Sequence, residues 1–138
     1  MQPTKTVNAL LWTVQVLLAA LFLFAGGMKV AAPAAALAQM SPLPAAFLKF
    51  IGVAEVTGAL GLILPWALRI QPGLTPLAAA GLVIIMVGAT VVTVVTGPAA
   101  PAAIPAVVGV LAAVVARRRW QHVPARRPSH RSVLQPAN

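Results

Sequence analysis

Apolar positions run along this chain in four long blocks, and the polar and helix-breaking positions gather between them. The blocks are Val7 to Val30, Phe47 to Leu68, Leu74 to Thr96 and Ala99 to Ala116. Each is close to the ~20 apolar residues with which a helix crosses the ~30 Å hydrocarbon core of a bilayer. A spanning β-strand would alternate apolar and polar residues, whereas these blocks are apolar on every side and rich in Ala and Leu. The breaks are chemically marked. "AAPAAALAQMSPLP" carries Pro33, Pro42 and Pro44, "RIQPG" holds Arg69 and Pro72, and "TGPAAPAAIP" combines Gly97 with three prolines. Each reads as a turn between helices, since proline supplies no backbone donor and glycine tolerates bends. Pro105 suits the first turn of a helix, so the fourth block starts somewhere between Ala99 and Pro105. The pattern predicts an all-α fold, a transmembrane four-helix bundle with short loops over residues 1–116. A disordered basic C-terminal tail follows over residues 117–138.

Composition agrees with that class. Hydrophobic residues make up 60% of the chain, charged residues 8%, and the mean hydropathy is +0.94, which excludes an ordinary soluble domain. Cysteine is absent, and His122 and His130 both lie in the tail. The apolar body therefore offers no thiol pair, haem ligand or metal site, and any redox chemistry needs a bound cofactor or a partner chain.

Charge sets the expected orientation. With four spans, Lys5, Arg69, Arg117, Arg118, Arg119, Arg126, Arg127 and Arg131 share one side, and only Lys29 and Lys49 lie opposite. Basic residues concentrate on the cytoplasmic side, so both termini are expected in the cytoplasm of a cell whose plasma membrane, bacterial in type, holds the protein. Trp12, Trp66 and Trp120 fall near the same face, where indoles anchor at headgroup level. The tail "ARRRWQHVPARRPSHR" reads as a solvated flank that binds anionic lipid and not nucleic acid. A small-x-small site at Ala36 and Ala38 admits a cleaved signal, but the apolar run to Phe24 is long for one and cleavage would remove Lys29. The first helix is expected to be retained.

Inside the second block stands Glu55, the only Asp or Glu in the chain. At 1.5 Å per residue it lies roughly 16 Å above Trp66, near mid-membrane. Lys29 and Lys49 both come out roughly 26 Å above the inner interface. Cα–Cβ bonds tilt toward a helix's N-terminus, so Lys29, ending an outward-running helix, leans into the membrane, and Lys49, starting an inward-running one, leans out. Six residues at about 100° each also place Lys49 about 120° around from Glu55. Lys29 is the better partner. Gly52 and Gly58 share a face with Glu55, and Gly26 with Lys29, so small residues permit close helix packing there. Thr90 and Thr93 on the third helix sit three apart, where their hydroxyls either join a polar cluster with Glu55 or bond their own helix's carbonyls. An intramembrane ion pair of this kind either fixes helix register or marks a functional site.

The order and spacing of these residues resemble the DoxX-like integral membrane proteins, with G-x-x-K ending helix one (Gly26-Gly27-Met28-Lys29) and G-x-x-E in helix two (Gly52-Val53-Ala54-Glu55). The likeness continues through "EVTGALGLILP" and "GLVIIMVGA" and covers roughly residues 10 to 116. It implies a four-helix membrane bundle and a non-autonomous membrane subunit beside soluble or membrane oxidoreductase subunits. The residues themselves name no cofactor; the resemblance brings in a quinone, through links to quinone-linked sulfur oxidation and oxidative-stress protection. Many relatives carry a histidine late in helix three, where this chain has Thr93, so a histidine-dependent role does not carry over. Two other readings stand beside the redox subunit: a small proton-coupled transporter using Glu55, and a non-catalytic scaffold.

Overall fold

The computed structural model describes residues 5–68, 70, 71 and 73–121, without the Trp66 side chain. Arg69 and the tail beyond Gln121, on which part of the orientation and lipid-binding expectation rests, lie outside the described residues, as does the Trp66 ring. The described chain is helical, with no strand among its described residues. Helix α1 spans Lys5–Ala31, α2 Ala34–Met40, α3 Ala45–Ala67 and α4 Leu74–Thr96; a 3₁₀ turn at Ala100–Ala102 leads into α5, Ala103–Trp120. Four of these helices are long and apolar enough to cross a membrane.

Helix α2 lies in the segment read from sequence as a plain turn. "AAALAQM" consists of good helix formers, and the prolines confine it to seven residues, with Pro33 as its N-cap and Pro42 just past its end. Leu37 is buried beneath it. Pro44 ends the connection and accepts the Leu48 N–H at 3.0 Å as α3 begins. At the other end of α4, Gly97 is extended and its N–H caps the Thr93 carbonyl at 3.1 Å. Pro105 does sit in the first turn of α5, where its missing N–H leaves no intrahelical bond unmade. That helix runs beyond Ala116 and keeps Arg117, Arg118 and Arg119 in its last turn.

The bundle closes in the order α1, α3, α4, α5, with α5 returning to α1. Its core joins Leu18, Phe22, Leu62, Leu82, Met86 and Val115. Large apolar side chains such as Phe24, Ile84 and Val95 point outward. That outward face is what lipid solvates, because a bilayer does not drive apolar side chains inward as water does.

Close packing is instead set by glycine. A Cβ on Gly26 would lie 2.6 Å from the Gly52 carbonyl oxygen, and one on Gly52 would lie 2.8 Å from the Gly26 oxygen, so α1 and α3 meet backbone to backbone. Helices α3 and α4 clasp further along, where Gly58 faces Leu82 and Gly61 faces Ala78. Gly27, one residue from Gly26, has nothing within 4 Å of such a Cβ. Gly26→Ala is therefore expected to cost about 1–3 kcal/mol, while Gly27→Ala stabilises by up to about 1 kcal/mol through helix propensity. Unfolding titrations in mixed micelles check this; equal effects at the two neighbours would contradict the packing.

Candidate functional site

The carboxylate and the ammonium meet. Lys29 Nζ donates to Glu55 Oε1 at 2.9 Å and to Oε2 at 2.7 Å, a two-oxygen contact between the end of α1 and the N-terminal half of α3. The Gly26–Gly52 approach makes this reach possible, because each glycine lies three residues before its charged partner and brings the two backbones together. Glu55 is sealed, with 2% of its side chain exposed, whereas Lys29 keeps 23%. Lys49 is exposed and forms no part of the pair.

Both charged residues line a cavity of about 690 Å³. Its walls come from all four long helices: Phe22 of α1, Phe47 and Phe50 of α3, Val92 of α4 and Ile104 of α5 are among them. The loop after α2, through Ser41 and Pro42, covers one end. Phe47 and Phe50 stack, with ring centroids 6.4 Å apart and planes 23° from parallel, and give the wall a flat aromatic surface. The helix contacts explain the space. The Gly26–Gly52 contact draws α1 onto α3, the Gly58 and Gly61 contacts draw α4 onto α3 nearer the opposite membrane face, and the room left between them is the cavity.

The threonines are not brought to Glu55. Thr90 donates to the Met86 carbonyl at 2.7 Å and Thr93 to the Ala89 carbonyl at 2.8 Å, the intrahelical alternative open to a hydroxyl in an apolar medium. Thr93 still lines the cavity.

A second polar cluster lies toward the other end of the bundle and was missed in the sequence. Arg119, expected in the solvated flank, is 1% exposed. Its Nε donates to Gln15 Oε1 at 2.5 Å, its Nη1 to Asn8 Oδ1 at 3.2 Å, and its guanidinium lies 5.5 Å from the centroid of the Trp12 ring. Gln15 Nε2 donates in turn to the Leu62 carbonyl at 2.7 Å. Pro65 within α3 supplies no N–H to the Gly61 carbonyl, one residue before the Leu62 carbonyl that Gln15 reaches. The cluster ties α1, α3 and α5 together. One signal for it was present: Asn8, Trp12 and Gln15 are spaced i, i+4, i+7 on one face of α1.

A family model, described as the DoxX-like family, matches residues 13–115. The chain belongs to the DoxX-like family. The match contains both charged residues of the pair and their glycines, whereas Asn8, Trp12 and Arg119 fall outside it. No curated protein and no solved structure matches the chain.

Proposed function

We propose that this DoxX-like protein is a non-autonomous membrane subunit of a redox assembly, whose cavity holds a small apolar ligand, a quinone in the reading the family resemblance favours, against the Lys29–Glu55 pair. One observation carries this: the ion pair lies on the wall of a cavity of about 690 Å³ and is not closed off in the core. A pair that served register alone would be best covered on all sides by side chains, and a volume of this size is in the range of small-molecule sites. The residues present fit a quinone head, with an apolar enclosure, the flat Phe47 and Phe50 surface, and one charged donor group. When bound, such a group supplies two-electron acceptor chemistry. The chain has no cysteine to supply electrons, so they would have to come from a partner's cofactor. A transporter that alternates proton and cation on Glu55 is disfavoured, because Lys29 already occupies both carboxylate oxygens.

The same proposal places both termini in the cytoplasm of a bacterial cell, the cavity toward the outside, and the basic tail on anionic lipid. Gln39→Cys, and not Ser132→Cys, should then be labelled from outside intact cells by an impermeant reagent; labelling of Ser132→Cys alone would reverse the orientation. Gentle extraction followed by mass spectrometry of co-purified molecules tests the function itself. A bound quinone or oxidoreductase subunit in near-stoichiometric amount is expected. Phospholipid alone, with no partner chain, would leave the scaffold reading in its place.

A further inference from the structure

Resting on the reading of the cavity as a binding site, we infer that it takes an uncharged, hydrogen-bond-accepting amphiphile, drawn laterally from the bilayer between α3 and α4. The charge class follows from how the pair is presented. Lys29 has three N–H donors and spends two contacts on Glu55, and of the two side chains it is that of Lys29 that keeps 23% exposure while that of Glu55 keeps 2%. The cavity therefore meets a ligand with a donor, and the ligand must accept. The pair is neutral in sum, so an uncharged ligand leaves the site neutral. An anion or a cation would each add an uncompensated charge in low dielectric, and a cation would also face a carboxylate whose two oxygens already accept from Lys29. Ketone, quinone and ester carbonyls share the required chemistry.

The route follows from the helix contacts. Beyond the Gly58–Leu82 clasp the α3 and α4 walls of the cavity include Phe50 and Ile84, which are 67% and 73% exposed. Gly88 lines the cavity on α4, and a Cβ there would meet nothing within 4 Å. A side chain added at Gly88 would thus start from open space on the cavity wall. Gly81 is equally open but does not line the cavity, and so supplies a matched control.

The test is photolabelling of the full chain in nanodiscs with benzophenone, whose carbonyl is both acceptor and cross-linker, beside a trimethylammonium-bearing and a carboxylate-bearing benzophenone. Adducts are mapped by peptide mass spectrometry. Benzophenone should label cavity residues such as Phe47 and Ile104, and both charged probes, which keep the carbonyl but bring an uncompensated charge into the site, should label them at least about tenfold less. Gly88→Leu and the Lys29→Met/Glu55→Gln double variant should each lower benzophenone labelling about tenfold, with Gly81→Leu unchanged. Ether-linked lipids in place of ester-linked ones separate two sources of the acceptor. Increased labelling would mean that lipid ester carbonyls ordinarily fill the site, and unchanged labelling that a free ligand does. Cavity labelling by a charged probe as strong as by benzophenone would overturn the charge class while leaving a binding site in place. Labelling indifferent to Gly88→Leu would overturn the lateral route. No cavity labelling by any probe would remove both the inference and the binding-site reading.

Discussion

Arg119→Met is expected to destabilise the bundle by about 2–4 kcal/mol, although the residue lies in a run of three arginines that resembles a solvent-exposed flank. Arg119 is buried and donates to Gln15 and Asn8, and a hydrogen bond to a charged group contributes about 1.5–3 kcal/mol. Its contact with the Trp12 ring adds about 0.5–2 kcal/mol. Desolvation of the guanidinium offsets part of this sum, which is why the expected loss is smaller than the total. Methionine fills much of the volume but leaves the Gln15 and Asn8 oxygens without that donor. Arg119→Lys should recover little, since one ammonium cannot reproduce the planar fork that spans both acceptors and lies against the indole. Arg117→Met, two residues away and exposed, should stay within about 0.5 kcal/mol of the parent. Unfolding in mixed micelles, followed by far-ultraviolet circular dichroism, measures all three. Equal stability of the Arg119→Met and Arg117→Met variants would show that the buried cluster contributes nothing.

The contrast between Arg117 and Arg119 shows where the sequence could be read and where it could not. The long helices were legible because length, apolarity and proline breaks each point the same way. The charged pair was legible because a lone carboxylate among apolar residues has few partners, and side-chain tilt chose Lys29 over Lys49. Gly26, Gly52 and Gly58 stood out for the same reason, as small residues beside those charges. The inward face of each helix was not legible, because in lipid both faces are apolar and no amphipathic pattern marks the core. Arg119 was hidden by its neighbours, since a basic run after an apolar block has the composition of a flank and only the helical phase of α5, with Ala112 and Val115 buried on the same side, turns one arginine inward. The cavity was invisible for a different reason: it arises from where the glycine contacts fall on three helices, a property of their arrangement and of no single segment. Thr90 and Thr93 faced a choice between Glu55 and their own backbone that spacing alone could not decide.

Removing either member of the Lys29–Glu55 pair should cost about 3–5 kcal/mol, and removing both should cost much less. Lys29→Met leaves a carboxylate that is 2% exposed and must take up a proton or be abandoned by the fold. Glu55→Gln leaves an ammonium without its counter-charge, although Lys29 is more exposed and can extend toward the surface, so this variant should be the milder of the two. In the double variant no charge is stranded, and the Gly26–Gly52 contact that brings the helices together is untouched. A double-mutant cycle on unfolding free energy in lipid or mixed micelles reads the coupling directly, and a value above about 2 kcal/mol is expected for two groups in contact. Additive single effects would show that the ion pair seen in the structure has no energetic weight. The same four proteins also separate a structural pair from a binding one, provided that bound small molecules are quantified in each preparation. If the double variant regains stability and loses its bound quinone or other acceptor, the pair belongs to the cavity's function. If it regains both, the pair does no more than hold α1 and α3 in register, because the cavity walls alone then suffice to hold whatever enters.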